Sequence, residues 1–323
     1  MAPHPLNLKR KSGNANEEAG NQTISSPIQT AHAPVRRDIN EPLLTVNEFG
    51  PAQYYGLRFV RELSCENSYV SLCERDQHPN EQVVVKIIPK DVEGETHSFN
   101  KRYASEISAL KKVSHKHIIK MLDCHSFDTY NAILLEFCPY GTLFDNIMSN
   151  RIRRLGVMST IFLHLSLAVL YLHEKRILHR DIKPSNILFG EDGRAILSDF
   201  DRAKFLSKSE HLVTGQAGTR IYYAPEVLKY SHIPYDGFKA DIYACGLVLF
   251  MMVNRQRLHS GDDVWNRLDN LPWVRRCPVS GYLEEIMQHV LHPNPAKRWG
   301  IRDITSYLKE RQGAFQDVVD AKM

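Results

Sequence analysis

The fold is decided by the segment His179-Arg180-Asp181-Ile182-Lys183-Pro184-Ser185-Asn186. The segment follows a long apolar stretch with helical spacing and precedes 187–189, a short run with strand character. An ordinary polar loop after a helix explains the proline and the asparagine. It does not explain a carboxylate, an ammonium group and an amide gathered in one loop, so the segment predicts a chemically active loop.

A second carboxylate is expected to act with this loop. Asp199 opens the string Asp199-Phe200-Asp201, which lies beyond Asn186 and after a short apolar run at 195–197. A carboxylate at the end of a strand can hold Mg²⁺, a hard cation that prefers oxygen ligands. A hydroxyl-orienting carboxylate, a cation and metal-binding oxygens are the groups that phosphoryl transfer requires. The residues therefore point to phosphoryl transfer.

A lysine upstream fits the same chemistry. Lys86 ends the run Val83-Val84-Val85-Lys86, which is typical of a buried strand, where an unpaired ammonium group would be costly. The spacing over 99–113 predicts a helix, and Glu106 on that helix can supply one partner for the lysine. Phosphate groups of a bound nucleotide can supply the other. Considered alone, either residue would be interpreted as a solvated surface charge.

The pattern along the chain predicts an α+β class. The 323 residues are 43% apolar, enough for a large core, and residues 1–50 are polar and predicted to form a disordered N-terminal tail. Strand patterns come first, and they lie at 57–63, 68–73, 83–88 and 133–137. Helical patterns then dominate, and they lie at 157–174, 241–253, 281–292 and 301–311. A small antiparallel sheet should therefore precede a larger helical part.

Composition excludes several classes of function. The net charge of +4 gives no electrostatic reason to expect nucleic acid or membrane as a partner. The six cysteines form no CxxC pair, and the histidines show no metal-ligand spacing, so a disulfide framework or zinc site is not expected. Reduced thiols are typical of a cytoplasmic or nuclear protein. The apolar stretches 155–172 and 242–253 are interrupted or too short to predict membrane insertion.

In chain order, these strings resemble the signature set of the protein kinase family: strand lysine, helix glutamate, catalytic loop, metal aspartate, then Ala224-Pro225-Glu226. The resemblance implies a bilobal protein-kinase fold over 54–312. Its N-lobe, with the small antiparallel sheet, would cover 54–138, and its large helical C-lobe would cover 139–312. Residues 313–323 would remain as a short C-terminal tail.

The resemblance also assigns roles to individual residues. Lys86 would hold the α- and β-phosphates of ATP and Glu106 would orient it. Asp181 would be the catalytic base and Lys183 would support the γ-phosphate. The magnesium ligands would be Asn186 and Asp199. The residues that contact the nucleotide would be Leu63, Val70, Val84, Lys86, Leu135, Glu136, Cys138 and Leu188. Two structural ties are implied as well, a pair between Glu226 and Arg298 and an anchor for the catalytic loop at Asp241.

The same resemblance bears on the substrate. Lys183, two positions after Asp181, and the segment 218–226 are similar to those of kinases that modify serine or threonine hydroxyls of proteins. The run 235–241 is similar to the calcium/calmodulin-dependent kinase-like group. A kinase of small molecules would share Asp181, but Arg180 and the segment 218–226 resemble machinery that engages peptides. A phosphate on Thr214, with Ser207 and Ser209 as alternatives, would pair with Arg180.

Two departures from the family pattern leave an alternative open. The phosphate-covering loop has Ser64, Glu66 and Ser68 where the pattern has glycines, which let backbone amides approach phosphates closely. Asp201 replaces the glycine that follows the metal aspartate. Aspartate tolerates left-handed backbone better than most residues, so the turn is expected to persist with less flexibility. The alternative is a pseudokinase or a weakly active kinase that acts as a scaffold or allosteric module, because the phosphate-binding loop lacks glycine.

Overall fold

The structure, a computed structural model, describes residues 55–64, 68–90, 99–229, 232–259 and 281–320. The predicted tail over 1–50 and Glu66 in the glycine-free loop lie outside these residues. A five-stranded antiparallel sheet comes first, in the order β1-β2-β3-β5-β4. Its strands are β1 Leu57–Ser64, β2 Tyr69–Arg75, β3 His78–Pro89, β4 Met121–Ser126 and β5 Tyr130–Glu136. Helix α1, Phe99–Leu110, lies between β3 and β4 in the chain. The predicted small sheet is confirmed.

The register of β3 explains why one face of the sheet becomes a binding surface. Side chains alternate between the two faces of a strand. Val83, Val85 and Ile87 are buried and pack in the sheet's own apolar cluster. Val84 and Lys86 therefore project from the opposite face, toward the rest of the protein. The strand pairs with β2 on one side and β5 on the other, so it cannot slip without exposing its apolar set.

The second part of the chain is helical and holds the main apolar core. Its helices are α2 Leu143–Met148, α3 Leu155–Glu174, α4 Pro225–Lys229, α5 Gly237–Asn254, α6 Gly281–Val290 and α7 Ile301–Asp320. Two short antiparallel pairs complete it: β6 Ile177–Leu178 pairs with β9 Lys204–Phe205, and β7 Ile187–Phe189 pairs with β8 Ala195–Leu197. The bilobal α+β fold is thus confirmed. Helix α7 runs past residue 312, so no break in secondary structure marks the start of the predicted C-terminal tail.

Helices α3 and α5 are long and apolar enough to span a membrane by length and composition, with mean hydropathies of 1.9 and 1.3. Their apolar residues have partners within the fold, because α3 packs against α5 and α7, and α5 also packs against α6. A helix that is apolar on all sides is typical of the centre of a large core. Asp236 caps α5 by accepting hydrogen bonds from the backbone nitrogens of Phe238 and Lys239.

Candidate active site

A cleft of about 900 Å³ lies where the exposed face of β3 meets the helical lobe. Every residue that the sequence analysis predicted to be catalytic, to bind metal or to contact the nucleotide lines this cleft. The predicted catalytic and metal-binding residues there are Lys86, Glu106, Asp181, Lys183, Asn186 and Asp199. The predicted nucleotide contacts there are Leu63, Val70, Val84, Leu135, Glu136, Cys138 and Leu188. Residues that are separated by more than 100 positions in the chain therefore share one cavity.

Lys86 is at the centre of a three-member charge cluster. Its Nζ lies 2.9 and 2.8 Å from the two carboxylate oxygens of Glu106 and 3.0 Å from Oδ1 of Asp199. The side chains of Lys86 and Glu106 are only 11% and 2% exposed, whereas that of Asp199 is 32% exposed. The lysine thus links helix α1 to the turn at 199–201, and Asp199 is the member that remains open to the cleft.

The charges of this cluster shift one another's pKa values. Burial alone would lower the pKa of Lys86, but the carboxylates of Asp199 and Glu106 raise it well above its usual value. Burial would raise the pKa of Asp199, yet the ammonium group lowers it to about 2. Burial raises the pKa of Glu106 to about 7 and outweighs the opposing effect of Lys86. Lys86 and Asp199 are therefore charged at neutral pH, as phosphate and metal binding require.

Asp181 is held in a fixed orientation by three neighbours. Its Oδ1 accepts a hydrogen bond of 2.7 Å from the backbone nitrogen of Thr219, and its Oδ2 lies 3.0 Å from the Nζ of Lys183. The same Nζ donates to the Thr219 hydroxyl at 2.9 Å. The amide nitrogen of Asn186 donates to the backbone oxygen of Asp181 at 2.9 Å. The carboxylate and the ammonium group thus face one position, which suits a base that receives a hydroxyl proton.

The catalytic loop is anchored from below by Asp241, at the start of α5. One carboxylate oxygen accepts from the backbone nitrogen of His179 at 3.0 Å and lies 3.1 Å from Nε2 of His173. The other accepts from the backbone nitrogen of Arg180 at 2.9 Å. Burial alone would raise the pKa of Asp241, but its bonds to His173 and to the loop backbone lower it. Arg180 has a φ of 68°, a strained conformation that these bonds stabilise.

The donor set of the cleft suits magnesium. Asp199 contributes a partly exposed carboxylate, and the side-chain oxygen of Asn186 is the atom of that residue left to bind a cation, since its nitrogen donates to Asp181. Carboxylate and amide oxygens are ligands that Mg²⁺ prefers. Among the described residues there is no group of three or more His, Cys, Asp or Glu side chains that could by itself hold a metal. Two protein ligands are consistent with a cation that also binds phosphate oxygens.

The apolar end of the cleft is formed by the strand β5 and the segment after it. Leu135 pairs with Val84 across the sheet. The carboxylate of Glu136 turns back to accept a bond of 2.9 Å from the backbone nitrogen of Lys120. Cys138 follows and is 8% exposed, and burial raises the pKa of its thiol to about 12. Leu188, from the helical lobe, lines the same cleft, and apolar walls of this kind suit the faces of an aromatic ring.

The turn that carries Asp199 differs from the sequence-based expectation. Phe200 is fully buried, with its ring edge-on to that of His179 at 4.9 Å between centroids. Asp199 takes the left-handed conformation, with a φ of 64°, while Asp201 does not. The turn persists as expected, but the tolerance of aspartate for left-handed backbone is used at Asp199 and is not needed at Asp201. Replacement of glycine at this position imposes no backbone strain of that kind, so it does not favour a pseudokinase.

Gly218 is required by a close approach to the catalytic loop. It has a φ of 95°, and a Cβ atom there would lie 2.2 Å from the backbone oxygen of Arg180 and 2.9 Å from Oδ1 of Asp181. No side chain can occupy that space without displacing the loop. The glycine lets the backbone of the next residue, Thr219, reach the Asp181 carboxylate.

The predicted tie between Glu226 and Arg298 is present in the helical lobe. Arg298 Nη1 and Nη2 lie 2.6 and 2.8 Å from the two oxygens of Glu226, and Arg298 Nε donates to the backbone oxygen of His292 at 2.7 Å. The guanidinium group is fully buried and also lies over the ring of Tyr243. The pair joins α4, which follows the segment that carries Gly218, to the residues just before α7.

Among the cleft residues that sequence reasoning did not nominate, Arg102 makes a direct contact with the segment that carries Asp199. Arg102, on α1, binds Asp201 through its Nε at 2.7 Å and through its Nη2. The available signal was its position four residues before Glu106, which places both side chains on one face of the helix. That spacing does not reveal the partner, because Asp201 is distant in the sequence.

Comparison with known proteins agrees with this geometry. Residues 66–308 match the family model of the protein kinase domain. CBL-interacting protein kinase 24 of Oryza sativa subsp. japonica is 32% identical over 225 residues, which cover 69% of this chain and 49% of that protein. CBL-interacting protein kinase 14 of the same plant is 29% identical over 245 residues, 74% of this chain and 55% of that protein.

A probable serine/threonine-protein kinase of Dictyostelium discoideum is 27% identical over 229 residues, which cover 70% of this chain and 27% of that protein. The chain thus spans about half, or less, of the length of these relatives. The matched part contains the strand lysine, the catalytic loop and the metal-binding turn described above. By these matches, the chain belongs to the protein kinase domain family.

Proposed function

We propose that this protein is a serine/threonine protein kinase, which transfers the γ-phosphoryl group of ATP to serine and threonine hydroxyls of other proteins. The observation that carries the proposal is the convergence of Lys86, Glu106, Asp181, Asn186 and Asp199 on one cleft. The matches to serine/threonine kinases support the choice of substrate class. The likeness of 235–241 to the calcium/calmodulin-dependent kinase-like group remains a prediction.

The described side chains suit each part of the transfer. The Asp181 carboxylate would orient the acceptor hydroxyl and take its proton while the oxygen bonds to the γ-phosphorus and the bond to ADP breaks. Lys183, 3.0 Å from Asp181, would neutralise charge on the transferred group. Lys86, oriented by Glu106, would hold the α- and β-phosphates. Thr219, which is hydrogen-bonded to both Asp181 and Lys183, would help to orient the acceptor hydroxyl.

Asn186 and Asp199 would hold Mg²⁺, which supplies neutralisation of phosphate charge and fixes the phosphate geometry. The chain's own contribution is to keep Asp199 ionised and in position. Lys86 lowers its pKa to about 2, so the carboxylate is available as a ligand throughout the neutral range. Its neighbour Phe200, buried against His179, fixes the turn from the other side.

Location and partners are also proposals. Reduced thiols and the absence of a charge excess support a cytoplasmic or nuclear kinase whose partners are ATP and proteins with serine or threonine acceptors. Neither nucleic acid nor membrane is proposed as a partner, and the oligomeric state is left open.

The decisive experiment is radiolabelled phosphate transfer from Mg-ATP to a generic protein substrate, with phosphoamino-acid analysis of the product. We expect label on serine and threonine, and a loss of at least about 10²-fold in Asp181→Asn, which removes the base. Lys86→Met should weaken ATP binding in a direct titration. Wild-type transfer no greater than that of Asp181→Asn would refute the kinase activity, and label on tyrosine alone would refute the substrate class.

A further inference from the structure

Helix α1 and the metal-binding segment 199–203 are joined at three points. Glu106 reaches Asp199 through Lys86, as described above. The hydroxyl of Ser105 donates to the backbone oxygen of Ala203 at 2.6 Å. The third link is the pair between Arg102 and Asp201, in which Nε lies 2.7 Å from Oδ2. The first link uses residues that the family pattern contains, and the second ends on a backbone oxygen. The third link depends on Asp201, the aspartate that replaces the glycine of the pattern.

The pair is shielded and has directional geometry. The side chains of Arg102 and Asp201 are 20% and 7% exposed, and two nitrogens of one guanidinium group reach the same carboxylate oxygen. A charge-assisted bond in a partly desolvated position is stronger than an exposed ion pair. Breaking it would leave Asp201 buried beside Glu106, whose pKa its charge already helps to raise. Either charge without its partner would therefore destabilise the folded protein, whereas the two charges together compensate each other.

A structural role alone does not account for where the pair lies. Arg102 is one turn before Glu106 on α1, and Asp201 is two positions after Asp199, so the pair spans the same two elements as the Lys86 cluster. Oδ2 of Asp201 binds Arg102, and its Oδ1, which is buried without a hydrogen bond, lies 3.6 Å from Nε of Arg202. Both oxygens already face cations.

We propose that Arg102 and Asp201 are a positioning pair that holds Glu106, and through it Lys86, in register with Asp199 so that the nucleotide site is formed before ATP binds. The inference rests on the proposed kinase function and deepens it. In a chain with glycine at 201, the polar links described above between α1 and 199–203 would be reduced to Ser105 and the Lys86 cluster. In this protein, Asp201 lacks the backbone freedom of a glycine and adds a link that holds α1 in place.

The test compares Arg102→Ala, Asp201→Gly and the double variant in the full chain. Three quantities are measured: the Kd for Mg-ATP by calorimetry, kcat, and amide hydrogen exchange of 99–110 and 237–254. We expect each single variant to raise the Kd about tenfold, and the double variant to be no worse than the singles, because coupled residues are not additive. Exchange should become faster in α1 and stay unchanged in α5. Arg102→Lys should restore part of the affinity.

The matched control is Arg302→Ala, which breaks an exposed pair between Arg302 and Glu174 at 2.9 Å. It should alter none of the three quantities. Unchanged affinity and unchanged α1 exchange in Arg102→Ala would overturn the proposal. Additive effects of the two single substitutions on the Kd of the double variant would do the same. Equal acceleration of exchange in α5 would also overturn it, because that result indicates general destabilisation. Hydrogen exchange needs neither turnover nor nucleotide. A chain without phosphoryl transfer but with selective α1 exchange would therefore refute the kinase function and keep the positioning pair.

Discussion

Replacing Gly218 by alanine tests the geometry of the catalytic loop. A Cβ at this position would lie 2.2 Å from the backbone oxygen of Arg180. Because Cβ contacts below 3.0 Å are essentially never seen, the two backbone segments must separate by about 0.8 Å. The same atom would lie 2.9 Å from Oδ1 of Asp181. It would therefore displace the base and disturb its 2.7 Å bond from Thr219.

A misplacement of that size in a reacting group costs about 10²-fold in rate. We expect kcat of Gly218→Ala to fall by about that factor, while the Kd for Mg-ATP stays close to wild type because the residue lies on the Asp181 side of the cleft. The φ of 95° adds strain of about 1–2 kcal/mol, which should lower the melting temperature by about 2–8 °C.

Gly215 is the matched control. It lies in the same segment and has a φ of 79°, yet a Cβ there would meet no atom within 4 Å. Gly215→Ala should therefore carry similar backbone strain and lose similar stability, with kcat close to that of wild type. Steady-state kinetics and thermal unfolding of the two variants decide the matter. A Gly218→Ala enzyme with wild-type kcat, or equal losses of kcat in both variants, would refute the reasoning.

Three further predictions concern stability and regulation. Arg298→Ala should cost about 3–5 kcal/mol in urea unfolding, because it leaves the carboxylate of Glu226 uncompensated, and a cost below about 1 kcal/mol would contradict this. Lys86 lowers the pKa of Asp199 from 3.8 to about 2, so its stabilisation is complete above about pH 4 and is lost as pH falls through about 2. The free energy of unfolding of Asp199→Asn should therefore fall less than that of wild type between about pH 4 and pH 2. Equal slopes of unfolding free energy against pH in the two proteins would exclude the effect. The Nε of Arg180 is buried without a hydrogen-bond partner, and Thr214 is exposed, so phosphate on Thr214 should raise kcat. Mass spectrometry that finds Thr214 unmodified in fully active protein would count against it.

The sequence predicted the elements and residues that depend on local pattern. The apolar run Val83-Val84-Val85 indicated that Lys86 is in a buried strand. Helical spacing put Glu106 on α1, which ends at Leu110 rather than at the predicted residue 113. The backbone nitrogen of Lys112 bonds to Ala109, three residues back, so the helix tightens into a turn there. The convergence of these residues on Asp199 came from the family resemblance, since periodicity contains no information about distant pairs.

What the sequence could not predict depends on contacts between distant segments. The pairing of Arg102 with Asp201 spans 99 positions, and neither residue type is unusual in its own element. The steric need for Gly218 arises only because the loop backbone at Arg180 passes beside it. In the turn at 199–201, the left-handed residue is Asp199, which is followed by the buried ring of Phe200. Rules for single residues could not assign that position.

The thiol of Cys138 shows how burial limits the chemistry of the cleft. It lines the cavity, yet burial raises the pKa of its thiol to about 12, so very little of it is thiolate at neutral pH. Alkylation requires the thiolate, so electrophilic ligands aimed at this cysteine should label it very slowly, however well they fit the apolar end. Selective covalent inhibitors of this protein would have to react with a different nucleophile, and Lys86, held as a cation by two acids, is equally unreactive.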